Sequence, residues 1–217
     1  MGSHFIFKKI DSVELLQKVY QLRFQVYCRE RQYIQESECM DGLEIDECDP
    51  HALHFAAFDA QENMVGAVRL ILSSCQQFPI EKHCTHLILP VNTHRRQYAE
   101  ISRLVISKLY RTQAAERPSR YIQQLGEITH GLCCLLYEEC RLSGVTHCLA
   151  LMEEPLNLLL RLRGYIFSAV GPAVDVYGRV TPYVFNVADN ERKGMFKDHD
   201  DVSYGRREIQ IQKDHFA

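Results

Sequence analysis

The chain has no run of about 18 consecutive apolar residues, which is the length that a helix needs to cross a bilayer. Its N-terminus, MGSHFIFKKIDS, lacks the long apolar stretch and the small-residue cleavage site of a secretory signal. Internal repeats and low-complexity segments are also missing. These absences argue against a membrane-spanning or secreted protein, and we expect the protein to remain in the cytoplasm.

The nine cysteines contain no C-x-x-C pair. Their odd number and the length of the chain argue against a disulfide framework. Several lie within apolar patterns, where a reduced thiol behaves as a small hydrophobic side chain: Cys133, Cys134, Cys140 and Cys148. The cluster His83-Cys84-x-His86, with Cys75, has no second ligand pair at zinc-finger spacing. The sequence therefore predicts no metal site.

A strong excess of positive charge is missing as well. The formal net charge is −3 at pH 7, and basic and aromatic residues are not interleaved, which argues against a nucleic-acid-binding protein. The 217 residues are 46% hydrophobic and 24% charged, a mixture that is typical of a globular domain with a sizeable core. We expect one domain over residues 1–190 and a peripheral tail over 191–217.

Hydrophobic periodicity and turn residues predict alternating helices and strands. The predicted order is a helix from an N-cap at Ser12 to about Tyr27, hairpin strands 54–58 and 65–72, strand 99–107, helix 122–142, strand 145–152, helix 155–163, and strands 170–177 and 182–188. Residues 73–97 are expected to be irregular because Pro79 and Pro90 interrupt helices, and 108–121 to be an exposed loop. This order indicates an α/β fold with a mixed central sheet.

Charged side chains interrupt two of the most apolar predicted strands. Arg69 lies within GAVRLIL, and Glu100 and Arg103 lie within EISRLVIS. Because a buried charge is costly unless it is paired, the two arginines need carboxylate partners, and the available ones are Glu44, Asp46, Asp49 and Glu100. Strand alternation places Glu100 and Ser102 on one face and Arg103 on the other, unless a bulge intervenes. The charges alone fit a structural ion-pair network as well as a functional site.

The spacing of these residues resembles a known framework. Arg23-x3-Tyr27-x5-Tyr33, E-I-D-E-C-D at 44–49, V-R-L at 68–70 and E-I-S-R at 100–103 are similar to the charge framework of acyl-homoserine-lactone autoinducer synthases and N-acyl amino acid synthases. The chain most resembles the exosortase (PEP-CTERM) system-associated acyltransferases, through RFQVYCRERQYI, DGLEIDECD, HFAAFD, VGAVRLIL, FPIEKHC, AEISRLVIS, GVTHCLALMEE and GPAVDVYGRVTP, in order over about residues 20–188. The resemblance implies a GNAT-type fold whose central strands, about 99–107 and 145–152, separate to admit a pantetheine arm.

The resemblance also implies roles for single residues. Glu100 matches the acid/base residue near the acceptor amine, and Arg69 and Arg103 match framework arginines that complete the catalytic group. The segment 28–50 is expected to be mobile and to close over the substrate. The residues that match substrate-binding positions are Arg23, Tyr27, Tyr33, Glu44, Asp46, Asp49 and Ser102. Tyr27 and Tyr33 replace a phenylalanine and a tryptophan common in lactone synthases, which argues against lactone formation.

The acyl donor is predicted from the region RPSRYIQQLGEITHGL, which lacks the glycine spacing of the pyrophosphate loop in acetyl-CoA-dependent enzymes. Nearby basic residues suit either an acidic carrier protein or a phosphate: Arg111, Arg117 and Arg120, with Arg141, Arg161 and Arg163. We therefore expect a fatty-acyl group to move from the phosphopantetheine of an acyl carrier protein, or from acyl-CoA, to the amine of an amino acid or similar acceptor, without a tightly bound cofactor. The alternatives are an acetyl-CoA-dependent N-acetyltransferase, an autoinducer synthase and a non-catalytic acyl-binding module.

Overall fold

The computed structural model describes residues 5–90, 93–112 and 118–193. The strands are β1 (Ile6–Lys9), β2 (Ala52–Phe58), β3 (Met64–Ile71), β4 (Tyr98–Ile106), β5 (His147–Met152), β6 (Phe167–Ala169), β7 (Val174–Asp175) and β8 (Arg179–Asn186). The helices are α1 (Val13–Phe24), α2 (Pro79–His83), α3 (Lys108–Thr112), α4 (Pro118–Leu142), α5 (Glu154–Leu162) and α6 (Val187–Arg192).

The described strands form one mixed sheet in the order β1-β2-β3-β4-β5-β8-β6, with β7 added to β8. Only β4 and β5 run parallel to each other, and every other pair is antiparallel. Alternate residues of β2 pack on opposite faces, since Phe55 joins Ile128 and Leu132 of α4 and Ala56 joins Val19 of α1. Helices therefore cover both faces of the sheet, which confirms the predicted α/β fold.

The parallel pair at the centre of the sheet separates at one end. Residues of β4 and β5 are paired from Tyr98 with His147 to Ile101 with Ala150. β4 nevertheless continues to Ile106 and β5 continues to Met152. The two strands therefore diverge beyond Ile101 and leave a gap between their carboxyl ends.

A β-bulge lies in β4 next to this gap. Ala67 of β3 pairs with Val105, but Arg69 pairs with Ser102, so that two steps along β3 correspond to three along β4. The extra residue is accommodated at Arg103, whose φ of 53° is unfavourable for any residue other than glycine. A bulge shifts the alternation of side chains by one position, which changes the face on which Arg103 lies.

Two loop predictions were wrong. Pro79 begins α2 instead of preventing it, because the N–H that proline lacks has no partner in the first turn of a helix. The predicted loop 108–121 contains α3 and the beginning of α4. The polar residues that suggested a loop include Lys108, which is exposed on α3.

The two ends of the chain also differ from the prediction. The strand β1 was not predicted, and the first helix continues beyond Phe24 as a π-helix over Gln25–Glu30. The predicted strand 182–188 corresponds to β8, which begins at Arg179, whereas the predicted strand 170–177 contains only the two residues of β7, and β6 was not predicted. α6 occupies the predicted end of the domain and is anchored by Asn190, which is 1% exposed and bonds both backbone groups of Ile166. Residues 194–217 of the predicted tail lie outside the described residues.

Candidate active site

Two of the predicted arginines are fully buried in an ion-pair network. Arg23 of α1 donates from Nε to Glu44 at 2.5 Å and from Nη1 and Nη2 to Asp49 at 2.7 and 3.1 Å. Arg69 of β3 donates from Nη1 to Asp46 at 2.6 Å and to Asp49 at 2.9 Å. Both arginines are 0% exposed. The predicted need of Arg69 for carboxylate partners is confirmed, and the network holds residues 44–49 against the sheet.

Arg103 connects this network to the surface of the protein. It contacts Glu44 from Nε at 3.1 and 3.2 Å and Asp46 from Nη2 at 3.2 Å. The rings of Tyr27 and Tyr177 lie 5.3 and 5.9 Å from its guanidinium carbon, within the range of cation–π attraction. Simple alternation would place Arg103 on the face opposite Glu100, but the bulge changes this assignment, as expected for a bulged strand. The Arg103 side chain is directed toward the carboxylates of Glu44 and Asp46.

The network keeps its carboxylates ionised. Burial alone would raise the pKa of Asp49, but the hydrogen bonds and positive charges of Arg23 and Arg69 hold that pKa well below its usual value. The pKa of Glu44 is lowered in the same way, against the effect of burial, by Arg103 and Arg23. These carboxylates are therefore unsuited to take up a proton during a reaction near neutral pH.

Glu100 is a buried carboxylate outside this network. It is 2% exposed, and its Oε2 accepts a hydrogen bond of 2.9 Å from the backbone N–H of Ile80, in the first turn of α2. No ion pair to Glu100 occurs within the described residues. Burial raises its pKa to about 7, although the Ile80 N–H and the charges of Arg69 and Arg103 act in the opposite direction. A carboxyl group with this pKa both binds and releases a proton at neutral pH, as a general acid or base must.

A cleft of about 510 Å³ opens where β4 and β5 separate, a volume within the range of small-molecule sites. Along β4 its lining changes from polar at Glu100–Arg103 to apolar at Leu104–Ile106. Leu151 and Met152, at the end of β5, complete the apolar part. Glu100 thus lies on the wall of a cleft that has a polar and an apolar portion.

Glu153, Tyr177 and His83 also line the cleft, although the sequence did not assign them to this site. Tyr33, on the segment after the π-helix, donates a hydrogen bond of 2.8 Å to Glu153, which follows β5. The Tyr33 ring lies 6.0 Å from the ring of Tyr177, which lies 6.2 Å from that of His83. Tyr177 has a φ of 54° in the turn before β8, and Gly178, with a φ of 91°, is the residue whose type indicates a turn in the sequence.

The predicted site residues divide into three groups. Those that line the cleft are Tyr27, Tyr33, Asp46, Glu100, Ser102 and Arg103. Those that lie behind it, as parts of the ion-pair network, are Arg23, Glu44, Asp49 and Arg69. Arg117 and the side chains of Arg111 and Arg120 lie outside the described part of the chain. Arg69 reaches the first group through its Nε, which donates to Ser102 at 3.1 Å.

The described residues contain neither a metal-ligand cluster nor a helix that could span a membrane. Within them, no three histidine, cysteine or acidic side chains converge as a metal site would require. Cys75, considered above with the His83 cluster, lies with its Sγ 3.3 Å from Sγ of Cys48. None of the described helices combines the length and apolar composition needed to traverse a bilayer.

The fold and part of the sequence match known proteins. Residues 22–118 match a family model described as an acetyltransferase (GNAT) domain. No curated protein matches the sequence. The CoA-dependent acyl-homoserine lactone synthase BjaI is 18% identical, with a TM-score of 0.64 over 94% of this chain and 92% of its own. The homoserine lactone synthase LasI is 16% identical, with a TM-score of 0.65 over 86% and 91%.

A third solved structure, FeeM, is an N-acyl amino acid synthase from uncultured soil microbes. It is 12% identical to this chain, with a TM-score of 0.56 over 88% of this chain and 95% of its own. The likeness to all three structures shows that the protein has a GNAT fold. The match of residues 22–118 to an acetyltransferase (GNAT) domain agrees with this fold.

Proposed function

We propose that the protein transfers a fatty-acyl group from a carrier thioester to the amine of an amino acid or similar small acceptor. The observation that carries this proposal is Glu100, a buried carboxylate without an ion-pair partner in the described residues, with a pKa of about 7, on the wall of the cleft. The three carboxylates of the ion-pair network are committed to arginines. Glu100 is therefore the group best suited to accept a proton from the attacking amine.

The proposed reaction needs a base because an α-amino group has a pKa of about 8 and is largely protonated at neutral pH. Glu100 accepts one proton from the amine, directly or through water, and the free amine attacks the thioester carbonyl. General base catalysis of this kind contributes about 10²- to 10⁴-fold to the rate. When the tetrahedral intermediate collapses, the C–S bond breaks and the leaving thiolate takes up the second proton that the nitrogen loses, so that the products are the amide and the thiol of the carrier.

The bulge in β4 supplies the proposed oxyanion site. Arg103 and Leu104 have no partner in the register with β3, and the pairing with β5 ends at Ile101. We assign a backbone N–H of this stretch, which lies outside both registers, to the thioester oxygen. One such donor contributes about 10²-fold or more to acyl transfer when it is held in place before the reaction.

The apolar part of the cleft supports a fatty-acyl group over an acetyl group. Side chains from β4, β5, α5 and the π-helix line it: Val26, Leu104, Val105, Ile106, Leu151, Met152 and Leu156. Each methylene that leaves water for such a surface contributes about 0.8 kcal/mol. An acetyl group uses little of this surface, whereas a long chain fills it.

An acyl carrier protein is the donor we propose, with acyl-CoA as the alternative. The support for a carrier protein is the basic composition around Arg111, Arg117 and Arg120, together with Arg161 on α5, which is exposed and follows the cleft residue Leu156. The sequence resemblance further suggests a place beside an exosortase system in the bacterial cytoplasm, and this assignment rests on the resemblance alone.

The proposal is tested with purified protein and an equimolar mixture of the twenty amino acids. Acetyl-CoA, palmitoyl-CoA and palmitoyl acyl carrier protein are offered separately as donors, and products are read by mass spectrometry. We expect N-palmitoyl products, formed faster from the carrier protein. Acetylated products alone would identify an acetyl-CoA-dependent enzyme instead, and an acylated lactone from added S-adenosylmethionine would identify an autoinducer synthase.

A further inference from the structure

Arg103 differs from the other arginines of the network in having a nitrogen available to the cleft. Its Nε and Nη2 are occupied by Glu44 and Asp46, whereas Nη1 has no hydrogen-bond partner within the described residues. The side chain is 12% exposed and lines the cleft. The unused edge of the guanidinium is therefore available to a ligand in the cleft.

The other two arginines cannot serve in this way. All three nitrogens of the Arg23 guanidinium donate to carboxylates. Nη2 of Arg69 has no partner in the described residues, but that side chain is 0% exposed and does not line the cleft. Of the three guanidinium groups, only that of Arg103 lines the cleft.

The guanidinium of Arg103 is held in one orientation before any ligand binds. Glu44 and Asp46 fix one edge, and the rings of Tyr27 and Tyr177 lie over the group. A planar group fixed in this way presents two N–H bonds from Nη1, a geometry suited to a carboxylate oxygen. The network has three guanidinium groups and three carboxylates, so its own charges balance and do not repel an additional anion.

Arg103 and Glu100 act on the same part of the cleft. The bulge turns Arg103 toward the face that carries Ser102, and both residues line the cleft with Glu100. The charge of Arg103 lowers the pKa of Glu100, which places the two groups within electrostatic reach of each other. A proton acceptor and a fixed guanidinium on the wall of one cleft match the amine and the carboxylate that an α-amino acid carries.

We infer that Nη1 of Arg103 binds the α-carboxylate of the acceptor, so that the enzyme acylates free α-amino acids and discriminates against amines that lack this carboxylate. This inference rests on the proposed function and narrows its acceptor class. It makes Arg103 a substrate-binding residue whose bulged backbone conformation serves to direct it at the acceptor.

The wild-type protein provides the first test. With palmitoyl acyl carrier protein as donor, the amino acid that gives the most product in the mixture is compared with its α-amide and with its decarboxylated amine. All three have an acylatable amine and the same side chain. We expect kcat/KM for the acid to exceed that for either analogue at least ~30-fold, because a fixed guanidinium loses a charge-assisted bond to the analogues.

Two variants identify the cation that is responsible. Arg103→Lys keeps the charge but loses the fixed Nη1 edge, and we expect it to raise KM for the acid and to reduce the preference over the amide to ~3-fold or less. Arg31→Gln removes another cation that lines the cleft, and we expect the preference to be unchanged.

The outcomes separate this inference from the proposed function. Equal use of acid and amide by the wild-type protein, or acylation of ethanolamine and putrescine but of no amino acid, would overturn the carboxylate site and leave an N-acyltransferase. A loss of preference in Arg31→Gln but not in Arg103→Lys would also overturn it. No acylation of any amine would overturn the proposed function, and the inference with it.

Discussion

Replacing Glu100 by glutamine is expected to lower activity and, at alkaline pH, to raise stability. Glutamine has nearly the same shape, and its carbonyl oxygen can accept the hydrogen bond that Glu100 receives from the Ile80 N–H. It cannot take up a proton. We expect product formation by Glu100→Gln to fall at least ~30-fold, the lower range for loss of a general base.

The effect on stability follows from the pKa of Glu100, which burial raises from 4.5 to about 7. Between these two values the folded protein holds a proton that the unfolded chain has lost. Stability of the wild-type protein therefore decreases as pH rises through this window and is lowest once Glu100 is ionised in the folded state. At about 1.4 kcal/mol per pKa unit, this cost grows by about 2 to 3 kcal/mol between pH 5 and pH 8.

Glu100→Gln does not have this cost. The difference in unfolding free energy between variant and wild type should therefore increase by about 2 to 3 kcal/mol in favour of the variant from pH 5 to pH 8. Urea denaturation of both proteins at the two pH values measures it. The pH profile of kcat/KM provides a second measurement, since the wild type should show a rising limb near pH 7 that the variant lacks.

Two results would refute this reasoning. Turnover of Glu100→Gln within a factor of three of the wild type would remove Glu100 from the chemistry. Parallel stability curves for the two proteins between pH 5 and pH 8 would mean that Glu100 is not held as a protonated buried group. The first result leaves the pKa argument intact, whereas the second removes the raised pKa on which the catalytic role of Glu100 was proposed.

Three further substitutions test other parts of the site. Arg69→Ala leaves buried carboxylates unpaired and should lower the free energy of unfolding by about 3 to 5 kcal/mol in urea denaturation, with a loss of activity. The control Arg29→Ala, on the exposed surface, should lower it by about 0.5 kcal/mol or less. A stable, fully active Arg69→Ala protein would contradict the network. Tyr33→Phe removes the hydrogen bond across the cleft and should raise acceptor KM by less than about tenfold with little change in kcat; an unchanged KM would show that this contact does not form the site. Leu151→Trp should obstruct the gap between the central strands and reduce turnover at least ~10-fold. The control Leu158→Trp, on the exposed side of α5, should leave turnover unchanged. Full activity of Leu151→Trp would place the thioester elsewhere.

The elements that could be predicted from the sequence are those that periodicity specifies. The hairpin of β2 and β3, the strands β4 and β5 and the helix α4 were found because apolar residues recur at the spacing of a buried strand or of one helix face. The need of Arg69 for carboxylates was also predictable, since a charge within an apolar strand requires a partner. Short elements such as β1, α2 and α6 were missed because packing against the sheet stabilises them more than local preference does.

The sequence by itself determined the α/β fold and the set of charged residues from which the site is built. Tertiary structure decided which of those charges neutralise one another and which one remains for chemistry. The spacing of Glu44, Asp46, Asp49 and Glu100 along the chain carries no record of the bulge at Arg103, which sets the face of each side chain on β4. The raised pKa of Glu100 likewise arises from burial among elements distant in the sequence, because desolvation depends on what surrounds a group in space and not on its neighbours along the chain.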